Sequence, residues 1–65
     1  MPKYPEIEVQ LTGQDGNAFA IMGAVSRELR KGGVPKEEIN EYTSESMSGD
    51  YNHLLRTAMA WVSVS

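Results

Sequence analysis

The chain has a single imidazole, His53, which lies in Ser48-Gly49-Asp50-Tyr51-Asn52-His53, three residues after a carboxylate. Histidine is the side chain whose ordinary pKa suits general-base work near neutral pH. On a helix, Asp50 at i−3 is close enough to orient the ring, and Ser46, Ser48 and Thr57 supply nearby hydroxyls. A Ser-His-Asp arrangement, however, needs these groups to converge with oxyanion donors in a concave site. A helical domain of this length has little room for one. The plainer reading is that Asp50 caps a helix and His53 sits half exposed on it.

The second chemically suggestive stretch is Gly13-Gln14-Asp15-Gly16-Asn17-Ala18-Phe19. A glycine-rich loop entering a helix can present backbone N–H groups to an anion. Neither the dinucleotide nor the P-loop spacing is present, no Lys or Arg stands nearby, and Asp15 would repel an anion. Asp15, Asn17 and Asp50 offer hard oxygens for a cation, but the EF-hand ligand pattern is absent. A tight turn with Asn17 as helix cap accounts for the stretch. If a ligand site exists, its candidate residues are Asp15, Gly16, Asn17, Asp50 and His53. No metal and no cofactor are expected.

Arg27, Arg30 and Lys31 share a helix face at i, i+3 and i+4, with Lys36 and Arg56 further on. They are the candidates for a phosphate-backbone patch. They equally suit a helix C-terminus, where cations complement the macrodipole. The last helical stretch, where a recognition helix would lie, carries Arg56 as its only Lys or Arg and Asp50 at its start, which disfavours a nucleic-acid role. Tyr51 and Trp61 are the candidate anchors for a protein partner, since both residue types recur in interface hot spots. Trp61 would serve if it points outward and would be core cover if it lies over the helix seam.

Length and composition bound these options. Sixty-five residues make one domain, and a domain of this size buries only about 60% of the surface its unfolded chain exposes. With no cysteine, neither disulfides nor thiolate zinc sites can staple it. Six basic against nine acidic residues give a charge of −3, unlike a general nucleic-acid binder. No apolar run is long enough to span a bilayer, and a cytoplasmic protein is expected.

Four segments must position these residues. Glu6-Ile7-Glu8-Val9-Gln10-Leu11 alternates strictly within a strand expected over 3–12, with Ile7, Val9 and Leu11 on its buried face. The first six residues are expected as a flexible extension. A helix follows over 18–31, with Ala18, Phe19, Ile21, Met22, Val25 and Leu29 on its apolar face. Gly23 lies within it, placed to permit close approach of another backbone, and Gly32-Gly33 ends it. A weaker helix runs from Pro35 to about Met47 and should fray where serines and a threonine accumulate. A third spans Asp50 to about Val62, with Tyr51, Leu54, Leu55, Ala58, Met59 and Val62 inward. Trp61-Val62-Ser63-Val64-Ser65 alternates again, as a short closing strand would. The first strand needs a partner for its backbone groups, either this tail or a second chain. The predicted core is Ile7, Val9, Leu11, Phe19, Met22, Val25, Leu29, Ile39, Leu54, Leu55, Ala58 and Val62.

Three segments carry a resemblance: Val9 to Gly23; Gly33-Val34-Pro35 with Glu37-Glu38-Ile39; and Ser48 to Leu55 with the ending Trp61-Val62-Ser63-Val64-Ser65. Together they resemble a family of short bacterial and phage proteins to which no activity attaches. The resemblance implies a bacterial or prophage source and a stand-alone domain, and transfers no site residue. By element lengths alone, the three helices also resemble ubiquitin-associated-like modules.

The expected fold is a small α+β domain of three short helices with an N-terminal strand and a short C-terminal one. The expected function is a non-enzymatic binding or accessory module with a protein partner, as a monomer or homodimer and without a membrane role. The alternatives are a dimeric nucleic-acid-associated regulator, paired through the first strand, and a ligand-binding protein or enzyme built on the Gly13–Asn17 loop.

Overall fold

Alternation in the first segment sends Ile7 and Val9 inward and leaves Glu6 and Glu8 in water. A strand so built needs a neighbour, and the far end of the same chain supplies it. In the computed structural model, which describes residues 1–11 and 16–65, the order is β1 (Tyr4–Val9), α1 (Ala18–Lys31), α2 (Lys36–Ser46), α3 (Tyr51–Trp61) and β2 (Val62–Val64). β1 and β2 form a two-stranded parallel sheet in which Tyr4 faces Val62, Glu8 faces Ser63 and Val9 faces Val64. The register breaks between Tyr4 and Glu8, around Pro5, which has no N–H to give a ladder. The Pro5 carbonyl instead accepts a hydrogen bond from Ser63 Oγ at 2.8 Å. At one end Lys3 N–H donates to the Ala60 carbonyl at 2.8 Å; at the other, Leu11 N–H donates to Ser65 at 2.9 Å. Lys3 to Glu6, expected as part of an extension, are thus tied to the body.

Asn17 caps α1 by accepting from Phe19 N–H at 2.8 Å. The other end closes with Gly33 at φ +85°, Val34 N–H bonding the Leu29 carbonyl at 3.0 Å and Gly33 N–H bonding Arg30 at 3.1 Å. Val34 and Leu29 are both buried, the apolar contact that accompanies this cap. Gly32 is needed for space: a Cβ there would stand 2.7 Å from Ile7 Cδ1. Gly23, expected at a close approach, is exposed, and among the described residues no atom beyond its own helix backbone lies within 4 Å of where a Cβ would stand.

α2 does not fray where expected and runs to Ser46. Its weak propensity is overridden by burial: Tyr42 and Ser46 are almost fully enclosed, and Thr43 Oγ1 donates to the Ile39 carbonyl at 3.0 Å. Burial pushes the Tyr42 phenol pKa up, an effect partly offset by Ser46 one turn further on.

The main core joins Ile7, Val9, Val25, Leu29, Val34, Ile39, Tyr42, Ala58, Trp61 and Val62. A satellite of Ile21, Met22 and Leu54 sits between α1 and α3, with Leu55 and Leu11 partly buried against it. Each fully buried Val or Leu contributes about 1.5–3 kcal/mol. Three expectations are corrected. Phe19 is 73% exposed, because Ile21 and Met22 take the inward face of α1's first turns. Tyr51 and Met59 also face outward, since Leu54, Thr57, Ala58 and Trp61 are the residues α3 buries. Among the described residues no helix is long and apolar enough to cross a membrane.

The two helix-associated glycines should respond oppositely to alanine. Gly23→Ala should raise unfolding free energy by about 0.5–1 kcal/mol, through helix propensity alone. Gly32→Ala should lower it by about 1–2 kcal/mol, by forcing Ile7 to shift in the core. Urea melts of the two variants check both signs.

Candidate functional site

The sequence places Asp50 and His53 together, and the structure does so in the manner of a cap. Asp50 Oδ1 accepts from the His53 backbone N–H at 2.9 Å and so closes the first turn of α3. It does not orient the ring. The ring turns to the end of α2, where Nε2 lies 2.9 Å from the Glu45 carbonyl, 3.0 Å from Glu45 Oε2 and 3.1 Å from Ser48 Oγ. Two of these are pure acceptors, so Nε2 carries the hydrogen and donates. Ser48 Oγ also donates to the Glu45 carbonyl at 2.7 Å. Serine and carboxylate therefore meet the same ring nitrogen, whereas a triad needs them on opposite ones. The ring adds to the bonds that Ser48 N–H (3.2 Å) and Ser48 Oγ already give the Glu45 carbonyl at the C-terminus of α2, and it joins α2 to α3. Gly49 makes room for the ring, since a Cβ there would come within 2.7–2.9 Å of His53 Cγ, Cβ and Cδ2.

Trp61 is 9% exposed and is core cover, which leaves it unable to anchor a partner. Tyr42 meets it edge-on at 5.6 Å and Tyr4 at 6.2 Å between ring centroids. The Lys3 ammonium lies 4.5 Å from its ring centroid. Lys3 Nζ also pairs with Glu38 Oε1 at 3.0 Å, and the Tyr4 hydroxyl donates to the same oxygen. That short hydrogen bond raises the Tyr4 pKa and lowers that of Glu38, with Lys3 adding to the fall. Sequence reading missed this clamp, because nothing in the spacing of Lys3, Tyr4, Glu38 and Trp61 indicates that they meet.

Gly16, just before α1, and the first turn of α3 do meet. Tyr51 donates its hydroxyl hydrogen to the Gly16 carbonyl at 2.6 Å, so the start of α1 and the start of α3 stand side by side. Asn17 is occupied as the α1 cap, and Asp15 lies outside the described residues. Among the described residues no group of His, Asp or Glu is arranged to hold a metal ion. Between the two helix starts runs a groove of about 270 Å³, lined by Ala18, Phe19, Met22, Met47, Tyr51 and Leu54 with Gly49 and Asp50. Phe19, Met47 and Tyr51 on this groove are 73%, 62% and 45% exposed. Of these, Tyr51 was a sequence candidate. Phe19 and Met47 were not, because Phe19 reads as core in a helical pattern and Met47 reads only as a helix end.

Arg27, Arg30 and Lys31 keep their i, i+3 and i+4 spacing on the exposed side of α1, with acidic neighbours among them. Arg27 shares a depression with Glu8, Gln10 and Glu28, and Lys31 pairs with Glu28 at 3.7 Å. Arg30 and Lys36 flank Val34, Ile39 and Asn40. Arg56 is exposed on α3. Compared with protein-family models, curated proteins and solved structures, the chain matches none.

If the His53 ring is a lock between helices, His53→Ala and Gly49→Ala should each cost about 1 kcal/mol, since the second displaces the ring that the first removes. The double variant should cost much less than their sum, as a double-mutant cycle of thermal melts will show. The clamp predicts a pH window. Glu38, with its lowered pKa, contributes stability above the ordinary Glu range of about 4.3 that is lost as pH falls through its folded pKa. Tyr4, with its raised pKa, contributes stability below about pH 10 that is lost as pH rises through its folded pKa. The gap in melting temperature between wild type and Glu38→Gln should be widest between these limits and close at both ends.

Proposed function

We propose that this chain is a non-enzymatic protein-binding module whose docking surface is the groove between the starts of α1 and α3. The observation that carries the reading is the exposure of Phe19, Met47 and Tyr51 around one apolar groove. Aromatic and methionine side chains are enriched in interface cores and charges are depleted there. At about 270 Å³ the groove is smaller than the 300–1,000 Å³ usual for a small-molecule site, and it suits one or two inserted side chains. The polar groups that could have served catalysis are engaged in caps: Asn17 on α1, Asp50 on α3 and His53 on α2. A nucleic-acid role draws less support. Glu8 and Glu28 accompany Arg27, and β1 pairs with β2 of the same chain, so it does not need a second chain to supply a first partner.

Selection of random phage-displayed peptides on the immobilised protein tests the reading. Binders should share a large apolar anchor and should shift the amides of Ala18, Met22, Met47 and Leu54 in ¹⁵N–¹H spectra. Met47→Lys should weaken them at least about tenfold. Peptides whose shifts centre on Arg27, Arg30 and Lys31, or a selection that enriches nothing, would sink it.

A further inference from the structure

We infer that the free edge of β1 is a second docking surface, which takes an extended basic peptide segment as a third strand of the sheet. The first ground is backbone direction. The sheet has two strands and ends at β1 on the side away from β2. At the far end of β1 the Val9 carbonyl accepts from Ser65 N–H at 3.1 Å, and Leu11 N–H donates to the Ser65 carbonyl at 2.9 Å. Residues 9 and 11 thus turn their backbone groups to the chain's own tail. Successive residues of a strand turn theirs to opposite edges, so Glu8 and Gln10 present N–H and C=O outward. Among the described residues no other element bonds them. Donors and acceptors in such a row are a template for one more strand.

The second ground is the space beside that edge. Glu8, Val9 and Gln10 share a recess of about 250 Å³ with Ala24, Arg27 and Glu28 of α1, and among the described residues none of β2 lines it. The recess therefore lies on the outer side of β1, where an added strand must pass, with α1 as its second wall. The third ground is charge, which sets the chemistry of the occupant. Glu6 and Glu8 stand exposed on the outer face of β1, directly beside the outward side chains of an added strand. Opposite charges so placed stabilise the pair, and like charges destabilise it. Lys or Arg at alternate positions of the incoming segment meets both carboxylates. The residues between them face α1, where Arg27 stands beside Glu28, itself paired with Lys31; that mixed wall suits small uncharged side chains. A second copy of β1 would bring Glu6 and Glu8 against their own kind.

The probe is an end-blocked peptide, Lys-Thr-Lys-Thr-Lys-Thr, added to the ¹⁵N-labelled full chain in about 0.15 M salt, where charges more than about 8 Å apart are largely screened. It should shift the amides of Glu8, Gln10 and Ala24, saturating below about 5 mM. It should also slow hydrogen exchange at Glu8 and Gln10, as new hydrogen bonds do. Glu8→Lys should weaken binding about fivefold. Glu41→Lys, the same change of net charge on α2, should leave it nearly unchanged; both side chains are exposed, so both variants keep the fold. The same peptide N-methylated at every residue keeps its charge, has no N–H to give, and should not bind. The inference is overturned by a peptide that gives no saturable shift at about 5 mM, by equal binding of the N-methylated form, or by indifference to Glu8→Lys. Shifts of Glu8 and Gln10 that follow protein concentration without peptide assign the edge to a second copy and overturn it too. The amides of Ala18 and Met47 should stay still throughout, so failure at the edge leaves the groove between α1 and α3 untouched.

Discussion

Everything in this fold depends on the parallel pairing of the chain's two ends. β1 opens the chain and β2 closes it, and all three helices lie between them. Without β2 the backbone groups of β1 would face water or the core unpaired, at a cost no domain of this size easily offsets. With it, the helices are confined to a closed loop and pack on the sheet through Ile7, Val9 and Val62. The bond from Lys3 N–H to the Ala60 carbonyl also serves α3, whose last carbonyls would otherwise lack donors. α3 passes into β2 without a turn residue, Trp61 ending the helix and Val62 beginning the strand. The strand's position therefore sets the direction of the helix.

From that direction the rest of the surface follows. α3 begins beside the end of α2, where the His53 ring closes the Glu45 carbonyl and Gly49 leaves the ring its space. It also begins beside the start of α1, where Tyr51 holds the Gly16 carbonyl. These two contacts leave Phe19, Met47 and Tyr51 around one groove instead of dispersed. At the opposite end of α3, Trp61 is closed off by Tyr4, Tyr42 and the Lys3 ammonium. The chain thus covers its largest aromatic side chain and exposes its only phenylalanine, the reverse of what side-chain size suggests.

Much of the local structure was legible in the residues. Alternation marked β1, Asn17 and Asp50 marked the helix starts, and Gly32-Gly33 marked the end of α1. Each of these is a short-range effect, decided by a side chain's own hydrogen bonds or backbone freedom. Legibility failed where a neighbour distant in sequence decides. The serines of α2 argued for fraying, but Tyr42 and Ser46 are enclosed by other elements. Gly23 suggested a close contact and, among the described residues, has none from another element. The candidate site was half legible: Tyr51, Asp50 and His53 were read, whereas Met47 and Phe19 were not.

The sequence alone determined the three helices, the first strand, the caps at Asn17 and Asp50, the absence of thiol chemistry and the acidic balance, whereas the pairing of the tail as β2 came from the structure. Those depend on periodicity, on hydrogen bonds spanning a few residues and on simple counting. Tertiary structure decided which apolar side chains are covered. A helical pattern leaves a wide apolar arc, and which part of it turns inward depends on the elements packed against it. Phe19 and Ile21 lie two residues apart in α1, one exposed and one buried. Tertiary structure likewise decided that the His53 ring meets the Glu45 carbonyl and carboxylate instead of Asp50, because packing sets the end of α2 beside the start of α3.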